Sequence, residues 1–92
     1  MKLGGWNYEE VKSCALPQKA ASAFIAVTSD LVGAEYQPVL YAGSQLVNGT
    51  NYCIFALQKA VTPSGEVRLM KLLINEEPRG EYRLLSVSVI PM

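Results

Sequence analysis

Two periods divide the chain. Between Pro17 and Gly33, the residues Ala20, Ala21, Ala23, Phe24, Ile25, Ala26, Val27 and Leu31 combine good helix formers with apolar spacings near three and four. Beyond Gly33 the period changes to two. The first stretch predicts a single helix opened by Pro17, whose missing N–H costs nothing in a first turn, and stopped at Gly33. Phe24, Val27 and Leu31 are expected to share its buried face. The second stretch is punctuated at Asn48-Gly49, Pro63-Ser64-Gly65 and Pro78-Arg79-Gly80, which leaves strands at about Tyr36 to Leu46, Thr50 to Val61, Glu66 to Asn75 and Tyr82 to Ile90. Their short connections suit an antiparallel meander. A lone amphipathic helix must lie across one face of such a sheet, so the expected fold class is α+β, one long helix packed across a four- to five-stranded antiparallel sheet. Trp6 to Val11 reads equally as a short strand or an extended arm.

Apolar residues on both parities complicate this one-sided picture. Cys53, Phe55 and Leu57 alternate with Tyr52, Ile54 and Ala56, and Met70, Leu72 and Ile74 alternate with Leu69 and Leu73. Side-chain stems and loops covering the second face explain the pattern, and so does a homodimer, either through that sheet face or by exchange of strands.

Composition then subtracts functions. The 92 residues have no linker, repeat or low-complexity tract and read as one domain, 1–92, burying roughly 64% of the surface its unfolded form exposes. Eight Lys+Arg balance eight Asp+Glu, so nucleic acid and anionic membranes are not expected partners. No apolar run approaches the ~20 residues of a membrane span, and none reads as a signal peptide. His is absent, and two Cys cannot complete a zinc site, so neither a metal nor another cofactor is expected. Cys14 and Cys53 lack an activating neighbour apart from Lys12, and Glu9-Glu10 and Glu76-Glu77 read as solvated surface pairs. The chain is therefore not expected to be an enzyme. The two cysteines are read as free, mostly buried thiols in preference to one disulfide.

One loop carries a positive signal. In Gln45-Leu46-Val47-Asn48-Gly49-Thr50-Asn51-Tyr52, a Gln-x-Val-x-Gly hairpin is followed by an Asn-Tyr pair, and Gly4-Gly5 stand about forty residues before it. Turn chemistry accounts for Asn48-Gly49, since both tolerate φ > 0, but not for Gln45 and Val47. The combination of glycine arm, helix, hairpin motif and strand order resembles the cystatin family, inhibitors of papain-like cysteine proteases such as papain and the cathepsins. The resemblance covers the whole chain.

It implies a reversible, competitive inhibitor that fills the protease cleft with three loops: the arm at Gly4 and Gly5, the hairpin Gln45, Leu46, Val47, Asn48 and Gly49, and a second hairpin at Pro78, Arg79 and Gly80. Leu3 and Val47 would enter shallow subsites while Gln45 supports the loop by hydrogen bonds. The second hairpin departs from the secreted members, which carry a Pro-Trp pair there; the only Trp of this chain is Trp6. The small intracellular members, the stefins, also lack that Trp and use a Pro-containing hairpin. Asn48-Gly49-Thr50 is a formal glycosylation acceptor inside the binding loop, where a glycan would obstruct a cleft. A cytoplasmic, stefin-like setting is expected, with secretion or a periplasmic location after loss of a signal as the alternative. The other reading keeps the fold and makes the apolar sheet face the functional surface of a non-inhibitory binding or assembly module.

Overall fold

The computed structural model describes Trp6, Tyr8 and residues 11–91; Gly4 and Gly5 lie outside the described residues. One helix, α1 (Gln18–Thr28), precedes four strands, β1 (Ala34–Val47), β2 (Gly49–Ala60), β3 (Val67–Glu76) and β4 (Tyr82–Val89). The strands form one antiparallel sheet in the order β1-β2-β3-β4, and the helix packs on one face of it, an α+β arrangement with four strands. The strand limits fall within two residues of those expected, because Gly and Pro end each apolar run.

The helix is shorter than its period suggested. Pro17 is the N-cap residue with ψ 149°, and Ala21 N–H donates to its carbonyl as the first helical bond. At the other end Ser29 N–H donates to the Ile25 carbonyl and the chain turns away, so Gly33 (φ +87°) opens β1 and does not cap the helix. Leu31 consequently lies beyond α1. The buried stripe is Ala20, Ala23, Phe24 and Val27, while Ile25 is 64% exposed.

That stripe meets alternate residues of the sheet. Tyr52, Ile54 and Ala56 of β2 and Met70, Leu72 and Ile74 of β3 are buried against it, with Leu16, Tyr36, Tyr41, Tyr82 and Leu84 packed around them. Ala20 and Ala23 are fully buried, and their small size lets the helix approach the strands closely. Two irregularities keep β1 in this scheme: register shifts between Pro38 and Leu40 and between Tyr41 and Gly43 bring both Tyr36 and Tyr41 to the core. Pro38, which has no N–H to donate, is tolerated because β1 is an edge strand. Cys14 N–H donates to the Pro38 carbonyl, and the Gln37 side chain donates to the Val11 carbonyl, which lays the residues before α1 beside β1.

The opposite face is not an open apolar surface. Leu57 is buried there, Cys53, Phe55, Leu69 and Leu73 are half-buried, and Lys71 pairs in register with Phe55 in their midst. Cys14 and Cys53 are free thiols. No helix is long and apolar enough to cross a membrane, and among the described residues no group of three His, Cys, Asp or Glu could hold a metal ion.

The proportions of the two layers position the loops. Eleven helical residues span about 16 Å, whereas a strand as long as β1 spans about 45 Å, and the protein measures 46 × 23 × 21 Å. The helix therefore covers the middle of the sheet and leaves the hairpin end projecting.

Leu72 is fully buried between helix and sheet, so Leu72→Ala should lower stability by about 2–5 kcal/mol, whereas Ile25→Ala on the exposed helix face should change it by less than about 0.5 kcal/mol. Equilibrium urea unfolding followed by circular dichroism checks both; equal losses would place the core elsewhere.

Candidate functional site

Both hairpins emerge from the same end of the sheet. In the first, Val47 pairs with Gly49 and only Asn48 lies between them, so the turn is tighter than a two-residue Asn-Gly hairpin. Gly49 has φ +99°, while no non-glycine residue among those described has a positive φ. Asn48 therefore does not take the left-handed conformation that the pair's turn chemistry suggested.

Gly49 is needed for a second reason. A Cβ added there would run into the Glu76 carbonyl oxygen and come within 3.3 Å of the Glu77 Cα, so the first hairpin rests directly on the main chain that begins the second. Gly33 and Gly80 also have positive φ, but nothing lies within 4 Å of the corresponding Cβ positions. The second hairpin is closed by Gly80 N–H donating to the Glu77 carbonyl and by Glu77 N–H donating to the Glu81 carbonyl. Its sequence, Glu77-Pro78-Arg79-Gly80, has Pro and Gly at the positions a type I turn favours.

Side chains tie the hairpins together on both faces of the sheet. On the face away from α1, register aligns Gln45, Asn51, Asn75 and Arg83 across all four strands. Asn51 Nδ2 donates to Gln45 Oε1 at 3.2 Å, and Asn75 Nδ2 donates to Asn51 Oδ1 at 2.9 Å, a ladder of amides that holds β1 to β3. Gln45 thus sits at the base of the first hairpin and braces it, while Arg83 approaches Glu77 at 3.8 Å. On the helix face Tyr52, only 4% exposed, donates its hydroxyl to Glu76 Oε1 at 2.7 Å. Burial pushes that hydroxyl up to about 12, and the hydrogen bond to the Glu76 carboxylate acts in the same direction. Glu76 is accordingly half-buried and occupied, a correction to its reading as half of a solvated pair; Glu77 is half-buried as well.

The tips themselves are left free. Leu46 is 87% exposed and Val47 43% exposed, and Asn48, Pro78, Arg79 and Gly80 are all exposed. Between the tips lies an open cleft of about 370 Å³ lined by Asn48, Asn75, Glu77, Pro78, Arg79 and Arg83. The structure thus brings together every expected residue of the two hairpins; the arm at Gly4 and Gly5 lies outside the described residues, with Trp6 exposed just after it. The amide role of Asn75, the place of Arg83 and the bond of Glu76 to Tyr52 do not follow from the sequence pattern. Only cross-strand register reveals them, since nothing in their local sequence marks them.

Among the described residues no group of three His, Cys, Asp or Glu at this end could hold a metal ion, and Glu77 is the one carboxylate lining the cleft. Apolar tips on a braced sheet lose little conformational entropy when they dock.

Two outcomes test the bracing. Gly49→Ala should destabilise the chain by several-fold more in equilibrium constant than Gly33→Ala, because it adds a main-chain collision to the same backbone strain; equal losses in urea unfolding would remove the close approach. For Tyr52, the unfolded chain releases the phenolic proton near 10.0 and the folded chain holds it to about 12. Between those values the unfolded state binds fewer protons, so the contribution of this hydroxyl is complete below the lower value and is lost as pH rises through the upper one. The stability advantage of the natural chain over Tyr52→Phe should narrow across that interval, and a gap independent of pH would contradict the assignment.

No protein-family model, no curated protein and no solved structure matches this chain, so a reading of its activity stands on this geometry and on the hairpin motif.

Proposed function

We propose that the chain is a cystatin-like, reversible and competitive inhibitor of papain-like cysteine proteases. The observation that carries the reading is the shared end of the two hairpins: exposed Leu46 and Val47 beside the Pro78-Arg79-Gly80 turn, set side by side by the Gly49 contact. A cleft in a protease is a concave, mostly apolar surface, and a blunt double edge with short apolar side chains is complementary to it. Leu46 and Val47 supply the buried contact, Arg79 and Asn48 the polar rim, and Gln45 holds the first loop in place through Asn51. Gly4 and Gly5 are assigned to a third contact on the resemblance alone.

Inhibition by this route needs no reacting group. The loops occupy the volume through which a substrate peptide must pass, and because Leu46 and Val47 are held by pairing with Thr50 and Gly49, they are not free to thread the cleft as a substrate would, so binding ends in release. The second hairpin lacks a Trp, a favoured hot-spot residue, so Leu46 and Val47 carry a larger share of the binding than they would beside one. A cytoplasmic setting belongs to the same proposal: both cysteines are free thiols, and Asn48 is an exposed sequon residue whose glycosylation would close the site.

Titration of papain and of a cathepsin with the purified chain should give one-to-one inhibition that is relieved by excess substrate. Replacing Leu46 and Val47 together with Asp should raise the inhibition constant at least ~100-fold with unfolding unchanged, since both side chains are exposed. Absence of inhibition by the natural chain at micromolar concentration would sink the proposal; inhibition that survives the double substitution would move the contact to another surface.

A further inference from the structure

The helix-facing apolar row of the sheet does not end where the helix does. Leu72 pairs in register with Val87, and Met70 with Val89. Directly opposed residues of an antiparallel pair share a face, so these two valines extend the core row outward onto β4. Leu72 is fully buried and Met70 is 5% exposed, yet Val87 is 38% and Val89 49% exposed. The core therefore runs out onto an edge strand.

That edge lacks the usual protection. β4 is terminal in the sheet order, and from Leu84 to its end at Val89 it carries no charge, no Pro and no Gly; its one irregularity is the register shift between Leu73 and Ile74, at Leu85. Edge strands left uncharged and unbroken pair with other strands through their free N–H and C=O groups. The opposite edge, β1, differs in each respect, with Pro38, two register shifts and the residues before α1 laid against it.

We propose that β4 pairs antiparallel with β4 of a second copy of this chain, forming a symmetric dimer with the twofold axis at Val87. The occupant follows from the sequence of the edge. Leu85-Ser86-Val87-Ser88-Val89 is a palindrome of apolar and Ser positions about Val87. Antiparallel pairing about that residue sets Val87 against Val87, Leu85 against Val89 and Ser86 against Ser88, so an apolar row meets an apolar row and hydroxyls meet hydroxyls. An isologous interface requires such self-complementarity, and a foreign strand does not. The result is a continuous eight-stranded sheet with both helices on one face, in which the exposed valines complete a core row shared by the two copies. The hairpin tips at Asn48 and Arg79 lie at the far end of each sheet and stay free. This assembly is distinct from a strand exchange, which would unfold the first hairpin, and from stacking of the faces opposite the helices.

A single strand pair lies at the small end of stable interfaces, so association is expected in the micromolar range. Sedimentation of the full chain between about 1 and 100 μM should show the weight-average mass rising from one chain toward two. Val87→Lys and Val87→Glu each place like charges against each other at the axis and should raise the dissociation constant at least ~10-fold, whereas an equimolar mixture should restore the dimer as a heterodimer. The proposal is overturned if the natural chain stays at one chain mass, if either single variant associates like the natural chain, or if the mixture fails to associate while both variants are folded. Should the variants not fold, amide hydrogen exchange of the natural chain decides: exchange at residues 86–89 should slow as concentration rises, and exchange there that is unchanged when the mass has doubled would overturn it.

Discussion

The hairpin end of this protein depends on one close approach, the backbone of Gly49 against the carbonyl of Glu76. It sets the first hairpin on the root of the second, so neither loop can take up a position independently of the other. The amide ladder from Gln45 through Asn51 to Asn75 repeats the constraint on one face, and the Tyr52 hydroxyl bound to Glu76 repeats it on the other. A residue with a side chain at position 49 would have to part the strands that these hydrogen bonds join. The cleft between the tips and the exposure of Leu46 and Val47 both follow from the loops being held at one level.

The helix acts on that arrangement from a distance. A stripe with alanines at two positions brings α1 against β3, β4 and β2 and buries the central residues of β2 and β3, yet it is too short to cover the whole sheet. What it leaves uncovered differs at the two places. At the hairpin end the projecting sheet carries the amides of Gln45, Asn51 and Asn75 on one face, and its tips set exposed Leu46 and Val47 beside Asn48 and Arg79. Along β4 the uncovered apolar residues are Leu85, Val87 and Val89, and the partners of the two valines, Leu72 and Met70, belong to the core. The free loops and the exposed part of β4 thus lie at different places on one sheet, beyond the cover of a single short helix.

Much of the fold is legible along the chain, because the strands are separated at Asn48-Gly49, Pro63-Ser64-Gly65 and Pro78-Arg79-Gly80, where local chemistry alone decides. Helix length is less legible: apolar spacing continues to Leu31, but Ser29 and Asp30 interrupt it, and the backbone leaves the helix after Thr28. Of the candidate site, Gln45, Val47 and Gly49 stand out by their spacing, although the steric need for Gly49 does not. Turn propensity explained that glycine sufficiently from sequence, whereas in the folded chain its partner is 27 residues away. Asn75, Glu76 and Arg83 were hidden for the same reason. A residue whose role comes from the strand beside it has no signature in its own neighbourhood, and two adjacent glutamates look like surface until register turns Glu76 toward Tyr52.

The proposed binding surface consists of two loops held as one body, and it should engage a protease as one body. The direct measurement is a titration of the isotopically labelled chain with papain blocked at its catalytic thiol, followed by amide resonances. The account predicts that Leu46, Val47 and Asn48 shift together with Arg79 and Gly80, saturating at the same one-to-one ratio, while residues of α1 and the face carrying Lys71 stay in place. Shifts confined to one hairpin, or centred on the sheet face with both tips unmoved, would contradict it.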